Sequence, residues 1–250
     1  MSVAVQEFAG KVAVITGAAS GIGNAVAHYF AERGARIVGV DLNDSIAAAL
    51  AELPGGGHHA VARNLTEPGA ARDVIAEAVA IAGQVDILVN SAGVALLDAA
   101  LDLSEEKWNA TLAVNLTASF TMSQAAGAVM TAAGFGRIVN LASQASVIGL
   151  EQHVAYCASK AGVLGMTRVL SMEWAPFGVT VNAVSPTVVE TPLGKAAWAG
   201  AKGVAMKNRI PVGRFARPDE VAALIAYLAS DAAAMVTGEN ILIDGGYASI

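Results

Sequence analysis

The feature that most constrains the fold of this chain is an alternation. Five short runs rich in Val and Ile, KVAVITG (11–17), RIVGVD (36–41), VDILVNSAG (85–93), GRIVNLAS (136–143) and GVTVNAVSP (178–186), are separated by longer stretches of helical character. A strand that is apolar almost throughout has no face to offer water, so it belongs in a sheet covered on both sides, and the intervening helices supply the cover. Helices are expected around 21–33, 67–82, 104–130, 153–175 and 218–229, with Ser104 and the acids of SEEKW opening the third of these. The expectation is an α/β chain, a single doubly wound domain over 1–250 with a mainly parallel sheet of about seven strands and helices on both faces.

Ligands of open α/β sheets bind beyond the carboxyl ends of the strands, and the runs here close on Gly, Asp, Asn or Ser. The first run enters TGAASGIG, a turn spanning Gly17, Ser20, Gly21, Ile22 and Gly23. Its spacing is GxxxGxG rather than GxGxxG, but strand, glycine turn and helix follow in the order that lets helix N-terminal amides face a pyrophosphate. The second run ends at Asp41, where a carboxylate accepts hydrogen bonds from an adenosine ribose and repels a 2′-phosphate. Ala18, Ala19 and Leu42 surround these positions and no Arg or Lys is placed to welcome NADP, so NAD is the expected cofactor.

The segment AYCASKAG puts Tyr156 four positions ahead of Lys160, on one face of a helix. Spacing alone allows an ordinary surface pair or a phenol whose acidity is adjusted by an ammonium group. Together with the glycine turn, NSAG (90–93), Asn115, Ser143 and DGG near the C-terminus, the pair resembles the short-chain dehydrogenase/reductase superfamily over essentially the whole chain. No one of these motifs is decisive, whereas the ordered set is specific.

The resemblance implies a catalytic tetrad of Asn115, Ser143, Tyr156 and Lys160. Tyr156 would be the general base, helped by the nearby ammonium and by a nicotinamide cation. Ser143 would hydrogen-bond the substrate oxygen, Lys160 would also hold the nicotinamide ribose, and Asn115 would keep a water that connects Lys160 to solvent. Cofactor contacts are implied at Asn90, Ala92 and Gly93, with Asn90 also holding the sheet, and at Leu65, Pro186, Val189 and Thr191. Asn64 stands where Asp commonly meets the adenine amino group, and its amide oxygen is expected to accept that bond. Ser91 and Thr187 depart from the family's usual Asn and Gly.

For the substrate, the resemblance points to Gln144, His153, Thr187 and Trp198, with 187–213 as a loop or lid. Gln144 and His153 would bond hydroxyls, which a site for polyhydroxylated substrates needs. The stretches LASQASVIGLEQHVAYCASK and VSPTVVETPLGKAAWAG are most similar to NAD-dependent polyol dehydrogenases that oxidise a secondary hydroxyl of a small sugar alcohol or vicinal diol such as threitol. The main enzymatic alternative is a 3-oxoacyl-carrier-protein reductase, which usually takes NADPH, and an alternative of a different class is a non-catalytic NAD-binding redox sensor. A hydroxysteroid or cyclic alcohol is a further substrate possibility.

Composition narrows the partners. A net charge of −6 with no cluster of Lys and Arg gives no electrostatic reason to bind nucleic acid. The uncharged span Trp108–Gly136 is broken by Asn, Gln, Ser and Thr, which suits a buried or interface helix better than a membrane span. With 55% hydrophobic residues and a mean hydropathy of +0.54, much of the chain is expected to be buried inside the domain or between subunits, and the resemblance implies a homotetramer. The N-terminus has no basic start followed by an apolar stretch, and the single Cys157 fits a reducing compartment, so a cytoplasmic location is expected. The reaction calls for no metal.

Overall fold

A computed structural model of the chain describes residues 6–249; the first five residues, part of the stretch from which the lack of a leader was read, lie outside the described residues. Seven strands form one all-parallel sheet: β1 (Val12–Thr16), β2 (Arg36–Asp41), β3 (His59–Ala62), β4 (Ile87–Asn90), β5 (Gly136–Leu141), β6 (Val179–Pro186) and β7 (Asn240–Ile243), in the order β3-β2-β1-β4-β5-β6-β7. The chain moves outward from β1 to β3 and then returns to place β4 on the other side of β1. This reversal opens a crevice between the carboxyl ends of β1 and β4, where such sheets take ligands.

The apolar runs become central strands because both of their faces are covered. Ala13 and Ile15 point into a core shared with α1 (Gly21–Ala31) and α9 (Pro218–Ala229). Val12 and Val14 point into the opposite core, shared with α3 (Ala70–Ala82), α5 (Ala118–Ala133) and α6 (Val154–Trp174). The sequence shows no run at β3 or β7 because they are the edge strands. Only Val61 of β3 is buried, and no residue of β7 is, so neither needs a continuous apolar stretch.

The expected helix over 104–130 is two helices joined by a wide turn. Ser104 caps α4 (Glu105–Leu112), its side chain accepting the Lys107 N–H at 3.2 Å, and a π-turn over Ala113–Thr117 then leads into α5. The π-turn carries Asn115, and such insertions inside helices are frequent at functional sites. Helices α2 (Ile46–Ala51), α7 (Pro192–Ala197) and α8 (Ala201–Arg209) were not anticipated, being one to two turns long. The last two occupy the stretch expected to be a loop at 187–213.

The glycine turn has a packing role as well as a binding one. A Cβ on Gly23 would lie 2.3 Å from the carbonyl oxygen of Gly17, so this glycine is what lets α1 seat against the end of β1. Gly23→Ala is expected to push α1 outward at an overpacking cost of about 1–3 kcal/mol, lowering the melting temperature by roughly 2–12 °C. An unchanged melting curve for this variant would show that the helix has room to move.

Candidate active site

The site begins with a row of polar residues at the strand ends. Register places Thr16 beside Asn90 and Asn90 beside Asn140. The Thr16 hydroxyl oxygen accepts the N–H groups of Ser91 and Ala92, both at 3.0 Å, which clamps the loop after β4 to β1. Asn90 is buried and donates to Asn140 Oδ1 at 2.8 Å, to Ser123 Oγ at 2.9 Å and to the Ser119 carbonyl at 3.2 Å. Asn140 in turn donates to Thr167 Oγ1 at 3.0 Å. Asn90 therefore holds β4, β5 and α5 together, as expected, but it lies behind the cavity and makes no part of its wall. Gly23 is likewise absent from the wall, its role being the close approach to Gly17.

In front of this row is a cavity of about 600 Å³ that reaches from Asp41 and Arg63 at one end to Ser143, His153, Tyr156 and Trp198. Gly17, Ser20, Gly21, Ile22, Asn64, Leu65, Ala92, Gly93, Pro186, Val189 and Thr191 lie on its wall, as do Gln144, Thr187 and Lys160. At the first end, Asp41 Oδ2 accepts the Ala19 N–H at 3.0 Å and Oδ1 accepts the Asn43 N–H at 2.9 Å. The carboxylate is thus fixed across the β1–α1 turn, and it does not cap α2, whose N-cap is Ser45.

Two expectations at this end are corrected. Arg63 is on the wall near Asp41, so the cavity does hold a cation there, with its guanidinium 3.8 Å from Asp73 Oδ2. Sequence distance hid it: Arg63 follows β3, which pairs with β2, and its backbone N–H donates to the Asp41 carbonyl at 2.8 Å. Asn64 presents differently from the expected acceptor. Its Oδ1 is taken by the Thr66 N–H at 3.1 Å and the Thr66 hydroxyl at 2.8 Å, so the amide N–H groups are what the side chain has left to offer.

At the other end, Ser143 stands two residues past β5 and opens a 3₁₀ turn over Gln144–Ser146; its Oγ accepts the Ala145 N–H at 3.1 Å, and its carbonyl accepts the Ser146 hydroxyl at 2.6 Å. Tyr156 stands in the first turn of α6, and one helical turn later the buried Lys160 donates from Nζ to the Leu141 carbonyl at 2.6 Å. Lys160 Nζ lies 5.8 Å from the centre of the Tyr156 ring. Burial lowers the Lys160 ammonium to about 8. Burial pushes the Tyr156 phenol up, and the Ser143 hydroxyl beside it pulls the other way. In the chain by itself desolvation is the largest influence on the phenol.

Asn115 is buried completely, behind the wall. Its Oδ1 accepts the Val94 N–H at 2.8 Å, and its Nδ2 donates to the Val94 carbonyl at 2.9 Å and to Ser159 Oγ at 3.1 Å. Both amide protons are spent, so the side chain fixes the loop after β4 to α6. Ser159, Thr16, Asn140 and the Leu141 carbonyl were missed from sequence. Thr16 could have been found from its place before Gly17; a backbone carbonyl leaves no signal.

Of the other candidates, His153 is the N-cap of α6 and sets its ring edge-on to Tyr156, with centroids 6.1 Å apart. Trp198 packs edge-on against Phe215 at 6.4 Å, in a small cluster with Met206, Ile210 and Tyr247. Thr191 caps α7 by accepting the Gly194 N–H at 3.0 Å.

Residues 17–248 match a family model described as enoyl-(acyl carrier protein) reductase. The chain is 53% identical to the NAD-dependent glycerol dehydrogenase of Listeria innocua and 55% identical to the D-threitol dehydrogenase of Mycolicibacterium smegmatis, in each case over 95% of this chain and 93% of the relative. The chain belongs to the short-chain dehydrogenase/reductase superfamily. Among solved structures of this superfamily, it is similar to a putative NAD(P)-dependent gluconate 5-dehydrogenase from Beutenbergia cavernae with bound NADP, at a TM-score of 0.91 and 39% identity, covering 98% of this chain and 99% of the other.

The walls of this short-chain dehydrogenase fit a dinucleotide. A Cβ on Gly17 would lie 3.0 Å from the Ala92 backbone, and one on Gly93 would lie 3.3 Å from Asn115 Oδ1 and 3.7 Å from Lys160 Nζ. Only hydrogen occupies those points, which keeps the cleft between β1 and β4 deep enough for a pyrophosphate and ribose. A carboxylate such as that of Asp41, at its far end, would accept from a ribose diol and repel a 2′-phosphate. Asp41→Ala is expected to raise the KM for NAD by about tenfold or more, the loss of a charge-assisted hydrogen bond, and to shift the preference toward NADP with Arg63 as its partner. Steady-state kinetics with both cofactors checks this; an unchanged NAD to NADP ratio would remove Asp41 from cofactor choice.

Proposed function

We propose that this enzyme oxidises a secondary hydroxyl of a small polyol or vicinal diol, of the D-threitol kind, with hydride passing to NAD. The observation that carries this reading is the convergence of Ser143, Tyr156 and Lys160 at one end of a cavity that has Asp41 at the other. The two polyol dehydrogenases that this chain resembles along nearly its whole length support it.

When bound, NAD supplies the hydride acceptor and places a positive charge near the phenol. Ser143 holds the substrate oxygen, and Tyr156 takes its proton as the carbinol is oxidised. A buried phenol that resists ionisation needs an outlet for that proton, and Lys160, lowered to about 8, is the adjacent group able to carry it. Of the two groups, the lysine is the one that gives up its proton at about 8. The polar side chains Gln144 and His153 suit a hydroxylated substrate, and the stretch 187–213 serves as the substrate loop, with Trp198 closing it. A 3-oxoacyl-carrier-protein reductase fits less well, since Asp41 stands where NADPH would bring its phosphate.

The same reading makes the protein a cytoplasmic homotetramer of carbohydrate metabolism. No helix among the described residues is long and apolar enough to cross a membrane. Phe120 on α5 and Val169 and Met172 on α6 are exposed, which supports these helices as a subunit interface. Light scattering is expected to give four chains per particle, and a monomer at assay concentration would end that proposal.

Initial rates of NADH formation with four- to six-carbon polyols and 1,2-diols test the activity. Turnover with NAD is expected, and Tyr156→Phe should lower kcat by about 100-fold or more while NADH binding persists. Silence toward every polyol, with NADPH-dependent reduction of a 3-oxoacyl substrate instead, would overturn the reading. Oxidation needs the proton-depleted pair, so kcat/KM should rise with pH toward about 8 and then level, and Lys160→Arg should move that limb upward because a guanidinium stays protonated. A profile that is flat through this range would remove the pair from the proton path.

A further inference from the structure

Two buried polar atoms at the reacting end of the cavity have no protein partner. They are Oε1 of Gln144 and Oγ1 of Thr187, on residues only 3% and 7% exposed. The other side-chain atoms in this state among the described residues, on Asn90, Arg137 and Thr180, belong to residues away from the cavity wall. Gln144 and Thr187 both lie on it.

Their placement is specific. Gln144 follows Ser143 directly, in the 3₁₀ turn that leaves β5, and Thr187 follows Pro186 at the end of the neighbouring strand β6. Both thus leave the carboxyl ends of neighbouring strands and share the cavity wall with Ser143. The turn is itself tied down: the Ser146 hydroxyl donates to the Ser143 carbonyl and lies 3.3 Å from Ser185 Oγ, which donates to Asn240 Oδ1 at 2.6 Å. Around them the wall is apolar, with Leu150, Val188 and Trp198. A buried polar group without a partner is costly to keep, and it becomes useful where a ligand supplies the missing bond. An amide brings both acceptor and donors and a hydroxyl brings one of each, a set that matches another hydroxyl.

We propose that Gln144 and Thr187 receive the hydroxyl on the carbon next to the reacting carbinol, so that the unit recognised is a 1,2-diol rather than a lone secondary alcohol. This deepens the polyol reading above and rests on it. A monohydric alcohol of the same skeleton fills the pocket but leaves both polar groups unmatched. A site built to bond a hydroxyl discriminates strongly against the analogue that lacks it.

The test is the ratio of kcat/KM for 2,3-butanediol to that for 2-butanol, in the wild type, Gln144→Leu, Thr187→Val and Thr187→Ser. The wild type is expected to favour the diol by about 100-fold or more. Gln144→Leu and Thr187→Val should each shrink that ratio by about tenfold, and Thr187→Ser, which keeps the hydroxyl, should retain it. Thr187→Val should also melt no lower than the wild type, because it replaces an unpaired hydroxyl with a methyl of similar shape. A wild type that oxidises the diol, with a ratio unmoved by either apolar variant, would overturn the assignment while leaving the polyol reading intact. A lowered melting temperature for Thr187→Val would show that its hydroxyl is structurally paired and overturn its part. A wild type inactive on both alcohols and on the wider polyol panel would overturn the reading itself, and this inference with it.

Discussion

The geometry of this enzyme depends on one buried side chain, the amide of Asn90. Three strands and two helices meet where it sits, and through Ser119, Ser123 and Asn140 it ties β4 to β5 and α5. A hydrogen-bonded network inside a low-dielectric core fixes its members more firmly than apolar contact would, because each unmade bond is expensive. The consequence is felt one residue further on. With the end of β4 held, Thr16 can clamp Ser91 and Ala92, and the backbone of Ala92 comes close enough to Gly17 that only hydrogen fits between them. The width of the cofactor cleft is thus set from behind, by residues that do not touch the cavity.

Charge is handled differently at the two ends of the cavity. Asp41 holds its side chain at a partly exposed position, with two backbone N–H groups as its protein partners. At the other end, burial works against ionisation of both Tyr156 and Lys160. The common cause is desolvation, which disfavours the charged form of acid and base alike.

The sequence disclosed what periodicity and order can carry. Strands β1, β2, β4, β5 and β6 were legible because burial on both faces demands apolar runs, and Tyr156, Lys160, Ser143 and Asp41 were legible because their types and order are chemically unusual in combination. Strands β3 and β7 were not, since an edge strand has no such demand. Arg63 was misjudged because its nearness to Asp41 is a fact of strand pairing, not of sequence spacing. Asn115 was found, but its bonds to Val94 and Ser159 were not. A side chain's type tells what it can bond, and only the fold tells which bonds are already taken. The same limit applied to Asn64, whose oxygen is spent on Thr66.

The run of small residues around Tyr156 and Lys160 has a physical reason that ties these observations together. Ala155, Ser159 and Lys160 are buried, so α6 approaches the strand ends closely enough for the ammonium to reach the Leu141 carbonyl. Further along the same helix, a Cβ on Gly162 would lie 2.8 Å from Leu116 Cδ2, so α6 also presses against the π-turn that carries Asn115. Asn115 then bonds Ser159 from one side and Val94 from the other. A bulkier residue at any of these positions would lift α6, and Tyr156, Lys160 and the Asn115 bridge would move as one body away from Ser143, whose turn is anchored separately to β6 and β7. The small residues therefore shape the site: they set how closely the helix that carries Tyr156 and Lys160 approaches the turn that carries Ser143.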